Sequence, residues 1–562
     1  MFGEILCLAE LPLGVLPADR NFGVPDPFDG LDPQDTDLTY LVELLAFDPE
    51  ITGGFYGPPV PIGTLGLGSF EYSYRGAERI VYLGDHHNYQ SLPGDSPANT
   101  SFRGVLDPAY GISARLGGAA DPLGGAQVDI GTVGIVNGNG FYDFLLRCAF
   151  GGRPVQVKVG KQTWSYNTFK TALYGIATAP RDGEATINIG LTTILSLLEG
   201  NIERRYWLGI GGADGSADLA GRPIPILWGY GRSLPGILED PSANIWRFAE
   251  ALGSMTNPRN RGVGGFEGGS DYANWAALAA ASVPPGHWAT CVSEGRARYG
   301  SPVTLPTVDA EGIASVGNLA GDIVLHIAQN RLGAQRNLSD ARIDPGAFGR
   351  LDALRPWETG IYIDGDVRAR DVLDQLMRDV GAALVSTRDG LLSCVPYAVP
   401  ELAPAEISAA DIDTSGVIPV RVAPAKRVTV TFAPRIRPLG GGEMPDSVSA
   451  EDRSDLAAIA QYAASTRSPP DTDAVAYAIA TGLRYQADAA DLAAIAADLM
   501  SRFTHYYTVP LVGRPFLHWL GDIRRLTYDR FGASAGLDCI VVGLVESNAG
   551  GNQIILWGPR GN

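Results

Sequence analysis

A chain of 562 residues with 45% hydrophobic and 19% charged residues has room for about three or four domains with real cores, and is too apolar to be disordered. Its 43 basic and 62 acidic residues leave a formal charge of −19, a surface that repels nucleic acid and anionic membrane and so disfavours phosphate binding without sequence preference. The 71 glycines and 39 prolines favour short strands joined by turns over long helices.

The opening "MFGEILCLAELPLGVL" carries Glu4 and Glu10 and lacks a basic leader, so it does not read as a secretory signal. No apolar run is long enough for a membrane span. Residues 20–37 hold Asp26, Asp29, Asp32, Asp35 and Asp37, but without the spacing or closing glutamate of a calcium loop they read as a solvated loop. From 38 to 205 the pattern is β: "LTYLVELLAF", "GSFEYSYRG", "ERIVYLGD", and "RPVQVKVG", which is expected to pair with "ATINIGL". Val155, Val157 and Val159 alternate with Gln156 and Lys158, the signature of a half-buried strand. "NGNG" (137–140) and "RDGE" (181–184) are expected hairpin turns.

The prolines and glycines of "ADLAGRPIPILWGYGRSLPGILED" (217–240) rule out a regular helix and predict an extended crossing segment. A short helix is expected near "ANIWRFAEAL", followed by glycine-rich loops and the alanine-rich "YANWAALAAASV". The helix over 367–380 has one apolar face, made by Ala369, Val372, Leu373, Leu376, Met377 and Val380. Asp366 is its expected cap and Gly381 its stop. "AALVSTRDGLLSCVPY" then predicts a hairpin turning at Asp389-Gly390. "RVTVTF" reads as a strand, and "GGGEMPDSVSAEDRSD" as a polar, mobile stretch. The second clear helix, 486–503, presents Leu492, Ile495, Ala496, Leu499, Met500 and Phe503. A β-meander ends the chain, with Ile523, Leu526 and Tyr528 facing a core.

The expected fold class is α+β, multidomain and β-rich: antiparallel β-barrel or sandwich domains, an α/β middle domain, and a C-terminal β-meander plus helix. The expected divisions are a loop segment 1–37, a β hub domain 38–205, a Gly/Pro-rich crossing segment with a loop and helix insert 206–310, an α/β domain 311–400 and a C-terminal β-rich domain 401–562.

Catalytic signals are weak. Cys7, Cys148, Cys291, Cys394 and Cys539 are scattered and odd in number, and read as reduced, buried thiols. Only His86 and His87 are adjacent among the six histidines. On a strand they would face opposite ways, whereas on a loop they could meet an ion with Asp85. "GIGGADG" (209–215) starts like a dinucleotide loop but places Asp214 at the third glycine position and has no helix after it. No nucleophile elbow or P-loop is present. No catalytic residue, cofactor or metal is assigned, although an acid pair of the glycosidase type cannot be read from spacing alone.

Two segments carry a family resemblance. In the last, Gly521-Asp522 opens a strand, Val541-Val542-Gly543 lies on a second, and Leu556-Trp557-Gly558 ends the hairpin. In mid-chain, Gly221, Arg222, Pro223 and Pro225 lead to Gly229 and Pro235. Both resemble segments of the tail-hub or baseplate-hub (tail-tip) proteins of long-tailed bacteriophages and gene transfer agents, and the 367–397 helix and hairpin suit the same type. The resemblance implies a non-enzymatic virion protein assembled in a host cytoplasm: a homotrimeric hub at the distal end of a tail. Such a hub closes the tube and docks the distal tail adaptor, the tail tube, the tape-measure protein and fibre or spike proteins, with DNA only in passage. The alternatives are a hexameric distal tail adaptor and a β-rich carbohydrate-active hydrolase. The resemblance departs at the cysteines, which do not cluster as an iron–sulfur site would need.

Overall fold

Alternation is the strongest signal in the first half, and in the computed structural model Val155, Val157 and Val159 are all buried along strand Pro154–Lys161. The structure describes residues 15–16, 31, 38–48 and 77–561, the last range without 86–87, 108–109, 119–120, 183–184, 335, 401–404, 468–472, 514 and 548–549. The aspartates of 26–37, "GSFEYSYRG", Cys7 and the His86-His87 pair lie outside the described residues.

Strand Pro154–Lys161 belongs to an eight-stranded first sheet. Its order is Tyr89–Gln90, Ser101–Gly104, Ala77–Gly84, Leu38–Asp48, Pro154–Lys161, Lys170–Asp182, Thr186–Thr192, Thr132–Val136. The expected pairing of 154–161 with 186–192 is not formed, because Lys170–Asp182 lies between them and pairs antiparallel with both. Gly175 and Pro180 conceal that strand in the sequence; it tolerates the proline where its register slips, between Ala177 and Pro180. Strands Lys170–Asp182 and Thr186–Thr192, on either side of "RDGE", do pair antiparallel, while residues 183–184 lie outside the described residues. "NGNG" does not: it leads into a 3₁₀ turn, Asp143–Arg147. There the Asn137 amide accepts from the Tyr142 N–H (2.8 Å) and donates to Asp143 (2.7 Å), a local bond that competes with hairpin closure.

The hairpin Gly111–Leu116 and Ala126–Ile130 completes a different sheet. Gly111–Leu116 pairs antiparallel with Leu537–Ser547, from Gly543 opposite Arg115 to Ser547 opposite Gly111. The closing sheet runs Ala405–Ile407, Ile523–Leu526, Leu537–Ser547, Gln553–Pro559, Phe503–Pro510, Ile418–Arg421. Its 11-residue strand pairs Ile523–Leu526 through its first four residues and the early hairpin through its last five.

In the middle, the crossing segment is extended as expected: Ile226–Pro235 is a strand between Pro306–Glu311 and Gly360–Ile363, with Ser254–Asn260 outside. The helix expected near 243–252 is instead strand Ile245–Arg247, in a five-stranded sheet with Ile237–Asp240, Arg296–Tyr299, His287–Cys291 and Glu267–Asp271. Ile245, Trp246, Phe248 and Ala249 are all buried. A run apolar on both sides fits a covered strand, which helical periodicity cannot distinguish over so few residues.

Helix Ala369–Asp379 buries Ala369, Val372, Leu373, Leu376 and Met377. Asp366 is not its cap: Arg368 holds that position, and Asp366 accepts from the Tyr206 hydroxyl at 3.1 Å. Gly381, at φ +60°, ends the helix by donating to the Arg378 carbonyl (3.0 Å). Ala382–Ser386 and Leu392–Pro396 form the expected hairpin. Helix Gln486–Arg502 packs on a small sheet ordered Gln461–Thr466, Ala425–Phe432, Val475–Ile479. The stretch read as mobile is ordered. Helix Ala450–Ala457 is capped by the Ser449 side chain, and Leu439, Met444, Val448 and Leu456 form a core of their own.

The fold is therefore α+β, multidomain and β-rich, with open sheets and no closed barrel among the described residues. One apolar core runs from the first sheet through the helices to the closing sheet.

Candidate assembly interface

The two motif groups occupy different places. Gly521, Asp522, Gly543, Trp557 and Gly558 meet in the closing sheet. The Gly521 N–H donates to the Val541 carbonyl (2.7 Å) and the Val541 N–H to the Asp522 carbonyl (2.8 Å). The Asp522 carboxylate accepts from the Trp519 N–H (2.8 Å) and from Arg524 (3.1 Å). Trp557 is fully buried between Phe503 and Tyr506, and its indole N–H donates to the Phe503 carbonyl at 2.9 Å. At Gly558 a Cβ would collide with the Cys539 sulfur, so only glycine lets these strands close over the buried thiol. These residues hold a joint between strands.

That joint also contains a buried charge. Glu546, on the long closing strand, accepts from the Tyr110 hydroxyl, 436 residues earlier, and from Arg388 in the hairpin turn at 2.6 Å. Arg388 donates further to the carbonyls of Ala172 (3.2 Å) in the first sheet and His518 (3.1 Å), and stacks on Trp519. One guanidinium thus ties the first sheet, the α/β hairpin and the closing sheet. His518 is held down to about 3 by burial, with Arg524 and Arg388 adding to the effect, so it sits neutral here.

Gly221, Arg222 and Pro223 form one leg of a projecting loop. The Trp207 N–H donates to the Arg222 carbonyl (3.0 Å), the Gly221 N–H to the Trp207 carbonyl (2.9 Å) and the Ile224 N–H to the Arg205 carbonyl (2.9 Å). Pro225 offers its carbonyl to the Glu250 N–H (2.6 Å). Gly229, at φ +67°, lies where a Cβ would strike the Thr359 carbonyl, which fixes glycine at that crossing. The loop turns through Gly209, Gly211, Gly212 and Gly215, all at positive φ. Gly209 donates to Asp214 (2.9 Å) and Gly211 to Gly215 (2.8 Å). At its tip Leu208 is 65% and Ile210 76% exposed, while Trp207 between the legs is buried.

The anchor of Trp207 is charged. Its indole N–H donates to Glu239 (3.0 Å), a fully buried carboxylate that also accepts from Arg247 (3.0 Å) and Arg296 (2.5 Å). Burial pulls the Arg247 guanidinium down, as does the like charge of Arg296. Burying such a cluster costs several kcal/mol per ion in desolvation, offset only by good geometry. Its product is a backbone that holds two aliphatic side chains rigidly in water. A cavity of about 340 Å³ lies under the loop. Arg247 and Arg296 of the cluster line it together with Asp214, Glu250 and Glu294; Glu250 is paired with Arg205 and Arg331, and Glu294 with Arg296. The "GIGGADG" stretch thus becomes a tip with a 3₁₀ turn at Gly212–Asp214, followed by a second at Ala217–Leu219 and by no α-helix before strand Ile226–Pro235. Sequence reasoning did not single out Leu208 and Ile210; the available signal was two aliphatics set among glycines next to a tryptophan.

Among the described histidines, His287 pairs with Glu267 (3.0 Å), His326 lies near Trp228, His505 stacks on Tyr507 and His518 is buried. Asp85 is buried and accepts from the Tyr40 N–H at 2.9 Å. Cys148, Cys291, Cys394 and Cys539 are buried, and Cys148, Cys291 and Cys539 carry free thiols. No helix is long and apolar enough to cross a membrane among the described residues.

No family model matches the chain, and no curated protein matches it. Solved structures similar to it include a 43 kDa tail protein of prophage MuSo2 from Shewanella oneidensis, at 11% identity over 82% of this chain and 96% of that one, TM-score 0.33. A chain of the virion of a native gene transfer agent particle aligns at 14% identity over 61% of this chain and 85% of that one, TM-score 0.34. A tail protein from Neisseria meningitidis MC58 aligns at 10% identity over 81% and 92%, TM-score 0.35. These neighbours are tail and virion proteins, but TM-scores this low carry no functional weight.

Proposed function

We propose that the chain is a structural building block of a phage-like tail: a homotrimeric hub at the distal end that closes the tube and docks adaptor, tape-measure and fibre or spike proteins. It has no turnover of its own. The observation that carries this reading is where the costly groups lie. The Arg388–Glu546 pair is buried at a joint between sheets and Glu239 with Arg247 and Arg296 inside the one sheet that carries the loop, while aliphatics stand on that loop in solvent. An enzyme invests buried charge around a reacting atom; here it is invested in holding surfaces still, which lowers the entropic cost of docking. The motif residues support the same reading, since both groups brace such elements. In this reading 38–205 is the hub domain, which lends one hairpin to the closing domain, and the −19 charge lets DNA pass without sticking.

The test is location. An antibody against the chain should label one end of the tail in particles from a producing cell, and deleting its gene should abolish complete tails. Normal particles without the protein would refute the proposal.

A further inference from the structure

The small sheet under helix Gln486–Arg502 has two unlike faces. Val428, Val430, Phe432, Ala463 and Ile479 turn to the core. The register places Thr466, Arg427 and Ala476 in one row of the opposite face and Ala464, Thr429 and Ala478 in the next, with Tyr462 beside Thr431. Of these, Arg427, Tyr462, Ala464, Thr466, Ala476 and Ala478 are exposed. Small side chains make the face flat, and both outer strands have a free edge among the described residues.

Its charge is opposite to that of the chain. The register places one charged side chain, Arg427, on the open face, with Lys426 next to it on the strand and no acidic residue on the three strands; at the rim follow Arg467 and an Asp473–Arg421 pair (2.7 Å), in a chain of 62 acidic and 43 basic residues. Arg467 is partly offset by Asp498 at 3.8 Å. An acidic counterpart exists on the same chain: edge strand Glu267–Asp271 (Glu-Gly-Gly-Ser-Asp) is exposed at every position and, among the described residues, pairs on one side only, with His287–Cys291, where Glu267 also meets His287 (3.0 Å) and Asp271 accepts from Thr290 (2.7 Å) and Val292 (3.0 Å). The two elements belong to different sheets. A contact between unlike patches on successive copies is heterologous, and generates a ring when its rotation closes.

We propose that the open face of the small sheet is a self-association surface, and that it receives the acidic edge strand Glu267–Asp271 of a second copy. This rests on the building-block reading above and names one of its contacts. A protein occupant suits the face better than nucleic acid: its basic residues are confined to one end, and the remainder is alanine, threonine and tyrosine, which gain from close approach of another backbone.

The experiment is a charge swap in the full chain, with mass in solution read by light scattering and sedimentation. Arg427→Glu and Glu267→Lys should each weaken self-association about tenfold or more at low salt, and the double variant should recover most of it. Both positions are exposed, and unchanged thermal melts establish that the variants fold. As a second readout, a benzophenone amino acid in place of Tyr462 should cross-link to a peptide containing 267–271 of the same chain. Self-association untouched by either reversal, or single defects that the double variant does not repair, would overturn the inference while leaving the building-block reading intact. So would cross-links to another protein alone, or salt-sensitive retention of DNA on this face. A wild-type chain that stays monomeric at every concentration also overturns it, and labelling of particles then decides the broader reading separately.

Discussion

The closing sheet and the small sheet are built from the same kind of β ladder and end with opposite surfaces. Strand Leu537–Ser547 is covered on both faces, by the core on one and by packing elements on the other, and only Asp538, Val545 and Ser547 depart from full burial. Strand Gln461–Thr466 buries Ala463 alone. The difference lies in what the chain places above each sheet. The closing sheet gains an early hairpin, the Arg388 guanidinium and the Trp519 loop, whereas the small sheet receives one helix on one side. A sheet covered twice becomes a joint between distant parts of the chain; a sheet covered once remains an interface.

The largest effects should come from the joint. Trp557→Ala removes a fully buried indole and its bond to Phe503, and should cost about 3–5 kcal/mol, read as a shift in the denaturant midpoint. Glu546→Ala leaves Arg388 buried without its carboxylate and should cost about 3–5 kcal/mol. The double replacement Glu546→Leu with Arg388→Met should recover much of that loss, because a buried pair is dear to break and cheap to replace whole. A double variant as unstable as the single would show that the guanidinium's carbonyl contacts hold the joint without the ion pair.

Acidity should act on the middle helix and on the closing joint in opposite directions. Asp379, at the end of the middle helix, is pushed up to about 7 by burial, against the pull of its Thr359 and Gln375 hydrogen bonds and Arg378. Its folded pKa lies above the ordinary carboxylate value, so the folded state holds the proton longer. Stability from this group falls as pH rises from about 4 to about 7. Asp379→Asn should remove that decline in midpoints measured from pH 4 to 8; an unchanged slope would place the proton elsewhere. His518, depressed in the folded state, contributes stability above about 6.5 that is lost as pH falls toward 3.

The smallest effects should come from the surfaces. Leu208→Ser and Ile210→Ser at the exposed tip should change stability by no more than about 0.5 kcal/mol, yet lower incorporation into particles. Loss of folding on either substitution would mean the tip is structural and not presented for contact.

How much was legible follows the range of each signal. Helices Ala369–Asp379 and Gln486–Arg502 were readable because their apolar faces repeat locally, and the 382–396 hairpin because Asp389-Gly390 marks its turn. Ile245–Arg247 was misread because apolar residues on both faces fit helix and strand alike. The pairing of Gly111–Leu116 with Leu537–Ser547 had no local trace, since it depends on contacts more than four hundred residues apart. Glu239 looked like any acidic residue; only burial beside Arg247, Arg296 and Trp207 gives it meaning. The motif positions around Gly221 and Gly521 were visible as spacing, but their bracing roles emerged only from their backbone partners.

The most direct measurement is the symmetry of the purified full-length chain in averaged electron-microscope images. A building block of this kind should give closed rings with threefold symmetry. Single, unassociated molecules, joined to measurable turnover of a glycan or small molecule by the same preparation, would contradict it.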